Sequence, residues 1–75
     1  MSQDPRKILG KNVRDRRLAV GLSQEELSER SGLHRTYISS LEHGDRNVGV
    51  ENIFALALAL GVDPESLLRA SINEK

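Results

Sequence analysis

Apolar residues recur at helical spacing from residue 24 to residue 42, in the segment QEELSERSGLHRTYISSLE. Leu27 would lie on the inner face of one short helix, and Ile38 and Leu41 would share the inner face of the next. Between them, at Ser31-Gly32-Leu33, the glycine can enter the left-handed region that a chain reversal needs. Two helices joined by a short turn that contains glycine are typical of a helix-turn-helix.

The rest of the chain also has a helical pattern, and capping residues mark where the helices begin. Asp4 is typical of an N-cap, and Ser23 with Glu26 three residues later matches a capping box. Leu9, Val13 and Val20 are expected to share one apolar face of the first helix. Because no segment alternates between polar and apolar residues, we predict an all-α fold of the five helices at about residues 5–20, 24–32, 34–43, 50–60 and 64–70.

The fourth predicted helix is unusual because no polar residue occurs between Ile53 and Leu60. Its apolar side chains form two stripes, whereas a surface helix normally has one. Either this helix is enclosed by its own domain, or its second stripe contacts an identical chain. A domain this small can hardly cover both stripes, which favours the second interpretation. The predicted dimer interface consists of Phe54, Leu58, Val62, Pro64 and Leu67.

Composition limits the remaining possibilities. The chain has 75 residues, enough for one domain with a core at about residues 5–70. It has no Cys and two His, so disulfides are excluded and we expect no metal site. We find no nucleophile–base pair and no glycine-rich phosphate loop, so we expect neither catalysis nor a cofactor. No apolar run resembles a membrane span or a signal peptide, so we expect a cytoplasmic protein without a membrane partner.

The net charge is zero, but the charges are unevenly distributed. Residues 1–17 contain six basic and two acidic side chains, and the remainder of the chain is net negative. Taken alone, such a basic run is typical of a solvated helix face. Beside a helix-turn-helix it favours contact with DNA phosphates.

The outward face of the third helix carries side chains suited to reading base edges in a DNA groove. Arg35 lies near the start of this helix and can bond guanine O6 and N7 together, and Thr36 offers a methyl and a hydroxyl group. Ser39 and Ser40 lie one turn further on and permit close approach. Tyr37 has two interpretations: a DNA contact, or a half-buried ring that fixes the angle between the second and third helices. The residues alone therefore predict that the other four side chains face DNA, and they leave both interpretations of Tyr37 open.

Three residues outside the third helix are candidates for phosphate contact. Gln24 begins the second helix, where free N–H groups and the helix dipole favour an anion. Arg46 and Asn47 lie in the loop after the third helix, and loops in that position commonly contact the DNA backbone. The alternatives are an ordinary helix start for Gln24 and ordinary turn chemistry for the loop residues.

Three segments, GLSQEELSERSGL, TYISSLEHGDRN and ALGVDPESLL, resemble the phage-repressor and Cro-type helix-turn-helix family, over about residues 5–70. Within the family, HRTYISSLEHGDRNV is most similar to the controller proteins of restriction–modification systems. The resemblance implies a five-helix, lambda-repressor-like domain whose third helix enters the major groove. It also implies a homodimer on a pseudo-palindromic operator, and a structural ion pair between Arg17 and Glu42.

The expected function is therefore a dimeric, sequence-specific, DNA-binding transcriptional regulator, with no evident small-molecule effector. One alternative is an antitoxin, which would need an apolar tail for its toxin, and only residues 71–75 follow the fifth helix. Another is a protein-binding adaptor on the same fold. The neutral net charge favours an adaptor slightly, whereas the polar face of the third helix disfavours it.

Overall fold

The computed structural model describes residues 4–70, which form five α-helices and contain no strand. The predicted all-α, five-helix fold is confirmed. The helices are α1 (Pro5–Ala19), α2 (Gln24–Ser31), α3 (Arg35–Glu42), α4 (Val50–Leu60) and α5 (Pro64–Leu68).

The first two helices begin where side chains satisfy free backbone N–H groups. The Asp4 carboxylate accepts from the backbone N–H of Arg6 at 3.0 Å, at the start of α1. At the start of α2, Ser23 Oγ accepts from Glu26 N at 3.0 Å, and Glu26 Oε1 accepts from Ser23 N at 2.8 Å. This is the capping box predicted from the sequence. Gly32 ends α2 with a φ of 79°, the left-handed conformation expected there.

One apolar core joins all five helices. Helix α1 packs against α3 and α5, α2 packs against α3 and α4, and α4 packs against α5. The pair α2 and α3 therefore rests on a scaffold made by the other three helices. The buried apolar residues are Leu9, Val13, Leu22, Leu27, Ile38, Leu41, Leu56, Ala57, Leu60 and Leu67.

The buried stripe of α1 ends differently from the prediction. Val20 was expected beside Val13, but it is 41% exposed. The next position of the stripe after Leu9 and Val13, at a spacing of four residues, belongs to Arg17, which is only 8% exposed. A charged residue can occupy a core position because it finds a carboxylate on α3, as described below.

Gly10 allows α1 and α3 to approach each other closely. A Cβ atom at this buried position would collide with the backbone oxygen of Leu41 and lie 2.9 Å from that of Glu42. Glycine in the middle of a helix costs about 1 kcal/mol relative to alanine. Here the missing side chain lets the end of α3 lie directly against α1.

Helix α5 ends at Leu68, two residues before the predicted end at Ala70. The amide of Asn12, on α1, donates to the carbonyl oxygens of Leu67 and Arg69 at 2.8 and 2.9 Å. These bonds satisfy carbonyls at the end of the helix, and Arg69 adopts an extended conformation. Within residues 4–70, no helix is long and apolar enough to cross a membrane.

Candidate nucleic-acid interface

Helix α3 is fixed by its inner face and presents its outer face to solvent. Ile38 and Leu41 are buried, with exposed fractions of 0% and 1%. On the opposite side Arg35 and Thr36 are exposed, and Ser39 and Ser40 are half-buried. The four outward residues predicted to read DNA are therefore brought together on one side of a helix that is anchored along its other side.

The turn before α3 comprises residues 32–34, and α3 starts at Arg35, one residue later than predicted. Two serine hydroxyls organise this turn. Ser28 Oγ donates to the backbone oxygen of Leu33, and Ser31 Oγ accepts from the backbone N–H of Leu33 at 3.2 Å. Both bonds hold the backbone of Leu33, two residues before α3 begins.

A buried ion pair joins α1 to the end of α3. Arg17 Nε donates to Glu42 Oε2 at 2.7 Å, and one terminal nitrogen of Arg17 donates to Glu42 Oε1 at 3.0 Å. The second terminal nitrogen donates to the backbone oxygen of Leu22 at 2.8 Å. The two side chains are only 9% and 3% exposed. The hydrogen bonds with Glu42 raise the pKa of Arg17 above its already high ordinary value, so the guanidinium stays charged. The structure thus brings together the two residues that the resemblance paired.

Gln24 is tied to the same carboxylate. Its amide Nε2 donates to Glu42 Oε1 at 3.1 Å, and the side chain is half-buried at the start of α2. An amide nitrogen carries two hydrogens, and this bond uses one of them. Glu42 therefore holds both Arg17 and Gln24, and it links the two helices of the motif to α1.

Tyr37, on α3, makes its side-chain hydrogen bond with α4. Its ring is half-buried against the core, and its hydroxyl accepts a hydrogen bond from Asn52 Nδ2 at 3.0 Å. The guanidinium carbon of Arg46 lies 5.3 Å from the ring centroid, within the range of a cation–π contact. Sequence analysis did not identify Asn52; the available signal was a polar residue directly before the long apolar run of α4.

The loop after α3 lies against the first turn of α1. A Cβ atom at Gly44 would lie 2.7 Å from Cγ and 3.4 Å from Nζ of Lys7. Arg46 and Asn47, the two predicted phosphate contacts, are exposed two and three residues further along this loop. The side chain of Lys7, part of the basic run of residues 1–17, therefore lies beside the loop that follows α3, a neighbour that the sequence did not indicate.

An exposed apolar stripe runs along the outside of α4. Val50, Phe54 and Leu58, spaced four residues apart, are 69%, 58% and 84% exposed. Val50 was not part of the predicted interface. Val62 and Pro64 are half-buried at the adjoining turn.

Leu67 must be removed from the predicted dimer interface. Its exposed fraction is 1%, because the inner side of α5 packs on α1 and α4. Its neighbour Leu68 is 54% exposed and points outward instead. Within the described part of the chain, no group of three or more His, Asp or Glu side chains could hold a metal ion.

Comparison with known proteins identifies the family. The model of the helix-turn-helix family matches residues 13–67. The chain belongs to the helix-turn-helix family. This helix-turn-helix protein is 46% identical over 69 residues to the control protein C.BamHI of Bacillus amyloliquefaciens, covering 91% of this chain and 85% of the relative. It is 49% identical over 65 residues to the control protein C.SmaI of Serratia marcescens, covering 87% and 77%.

A solved structure gives the same result. The restriction–modification controller protein C.AhdI from Aeromonas hydrophila superposes with a TM-score of 0.81 at 45% identity, covering 83% of this chain and 94% of that one. The family resemblance seen in the sequence is confirmed. As a member of this helix-turn-helix family, the protein is a DNA-binding transcriptional regulator.

Proposed function

We propose that this protein binds a pseudo-palindromic DNA operator as a homodimer and regulates transcription as a restriction–modification controller does. The observation that carries the proposal is the outer face of α3, where Arg35 and Thr36 are exposed on a helix locked to its neighbours. The similarity to C.BamHI, C.SmaI and C.AhdI supports the controller role. The protein would act on DNA in the cytoplasm.

Sequence would be read by α3 in the major groove. Arg35, at the N-terminal end of α3, is long enough to bond O6 and N7 of a guanine. Thr36, Ser39 and Ser40 bring short side chains to the same side, so the helix can approach the base pairs closely. Ile38 and Leu41 fix the helix from behind, which limits the conformational entropy lost when DNA binds.

Phosphate contacts would orient α3 in the groove. Gln24 would use its remaining amide N–H together with the positive end of α2. Arg46 and Asn47, in the loop that follows α3, would contact the DNA backbone as well. Glu42 is the last residue of α3 and binds Gln24, so the phosphate contact of Gln24 would keep a fixed distance from the outer face of α3. These contacts would supply much of the affinity and make it fall steeply with salt.

Dimerisation would use the outer stripe of α4. Phe54 and Leu58 are large, exposed and one helical turn apart, with Val62 and Pro64 at the edge of the same surface. A symmetric contact between two copies would bury this stripe. It would place two α3 helices on successive major grooves, about 34 Å apart.

Selection from a random pool of duplex DNA at about 0.15 M salt, a concentration at which purely electrostatic binding is already weakened, tests the proposal. Sequencing of the bound fraction should reveal an inverted repeat with half-sites about one helical turn apart. A single half-site would contradict the dimer. Recovery of the unenriched pool would contradict sequence-specific binding and favour the adaptor.

A further inference from the structure

Asn52 stands out because it is a half-buried polar residue directly before the apolar run of α4 and makes its side-chain hydrogen bond outside that helix. Its Nδ2 donates to the hydroxyl oxygen of Tyr37 at 3.0 Å, so α4 and α3 are joined by one hydrogen bond between side chains. The core contacts of α4, through Leu56, Ala57 and Leu60, do not involve this bond. The bond from Asn52 therefore acts mainly on the position and hydrogen bonding of the Tyr37 side chain.

The direction of this hydrogen bond decides what the hydroxyl of Tyr37 can do. A phenol hydroxyl has one hydrogen to donate and lone pairs that accept. Asn52 occupies a lone pair, and within residues 4–70 this is the one side-chain hydrogen bond that the hydroxyl makes. The hydrogen is therefore left for an acceptor outside the protein. Along duplex DNA, the acceptors beside a helix in the major groove are phosphate oxygens and base edges.

The same bond also holds the Tyr37 ring on which the Arg46 side chain packs. The guanidinium of Arg46 lies over the Tyr37 ring, with 5.3 Å between its central carbon and the ring centroid. Arg46 is exposed on a loop, so it would lose several rotatable bonds of freedom on binding a phosphate. A ring held in place by Asn52 restricts that freedom before DNA arrives.

We infer that Asn52 is a positioning residue for DNA binding: it leaves the Tyr37 hydroxyl as a donor to DNA and holds the ring that supports Arg46. The inference rests on the proposed function, because it assigns an acceptor on DNA to this donor. It adds a residue of α4 to a reading surface otherwise built from α2, α3 and the following loop.

A double-mutant cycle tests this role. Affinity for a duplex carrying the selected inverted repeat is measured for the wild type, Asn52→Leu, Tyr37→Phe and the double variant, well below their melting temperatures. Tyr37→Phe should weaken binding roughly tenfold, since it removes a hydrogen bond to a charged acceptor. Asn52→Leu should weaken binding roughly three- to tenfold, and in the Tyr37→Phe background it should add less than about twofold.

Asn12→Leu is the matched control, because Asn12 is also a half-buried asparagine that donates between helices, but from α1 to α5. Its effect should be the same with and without the Tyr37 hydroxyl. Equal losses from Asn52→Leu in both Tyr37 backgrounds would overturn the inference, as would unchanged affinity of Tyr37→Phe. If the wild type itself shows no preference for the repeat, the proposed function fails and this inference fails with it.

Discussion

Removing the Glu42 carboxylate is the sharpest perturbation of the fold. In Glu42→Ala, the Arg17 guanidinium keeps its bond to the Leu22 carbonyl but loses two hydrogen bonds and its counter-charge. The side chains of Arg17 and Glu42 are only 9% and 3% exposed, so water cannot easily replace the lost hydrogen bonds. Gln24 loses its partner in the same step.

The expected loss is large relative to the total stability. Removing one member of a buried ion pair costs about 3–5 kcal/mol, because the other charge stays buried without compensation. A domain of this length has a free energy of unfolding of about 4–11 kcal/mol. For so small a domain, a loss of 3 kcal/mol lowers the melting temperature by at least about 12 °C.

Thermal and urea unfolding, followed by circular dichroism, measure this effect. The matched control is Asp15→Ala, which removes the ion pair with Lys11 on the exposed side of α1. That pair is 63% and 52% exposed, so its loss should cost less than about 1 kcal/mol. The double change Arg17→Met with Glu42→Leu should recover most of the stability, since no unpaired charge remains. If Glu42→Ala unfolds like the wild type or like Asp15→Ala, the reasoning is wrong.

Three further predictions concern packing, capping and assembly. Gly10→Ala should lower the free energy of unfolding in urea by about 1–3 kcal/mol, because the added Cβ collides with the end of α3. The control Gly49→Ala should change this free energy little, since nothing lies within 4 Å of its Cβ, and equal effects would contradict the packing argument. The capping-box bonds lower the pKa of Glu26 below its ordinary value of 4.5, so its contribution is present above about pH 4.5 and lost as pH falls through the lowered pKa. The stability difference between wild type and Glu26→Gln should shrink over that acid range, and a constant difference would refute the assignment. Leu58→Glu should give monomers in sedimentation equilibrium, whereas the exposed control Leu18→Glu should remain dimeric; a dimeric Leu58→Glu would exclude the α4 stripe as the interface.

Local signals explain why the helices could be predicted. The capping box at Ser23 and the glycine at Gly32 act on neighbouring backbone groups, so the sequence around them contains the information that determines the structure. The spacing of Ile38 and Leu41 likewise predicts the buried side of α3, and thereby its outward side. These features placed the candidate reading face before any tertiary contact was known.

Features that depend on distant partners could not be predicted from local pattern. Arg17 takes the buried place expected for Val20 because it pairs with the carboxylate of Glu42. Glu42 lies 25 residues away, so the local pattern does not reveal the pair. Family resemblance, and not periodicity, indicated that pair. The bond from Asn52 to Tyr37 also joins separate helices, 15 residues apart. In α5, five residues are too few for a periodic pattern to distinguish the buried Leu67 from its exposed neighbour.

The central claim is that the outer face of α3 reads DNA sequence, and selection with Arg35→Ala tests it most directly. Wild type and variant are given the same random duplex pool, and the enriched sequences are compared position by position. We expect the wild type to enrich an inverted repeat, and the variant to lose preference at one base pair in each half-site while its affinity falls by about 1–3 kcal/mol. An unchanged preference in Arg35→Ala, with equal loss on all sequences, would make Arg35 a backbone contact and contradict the claim.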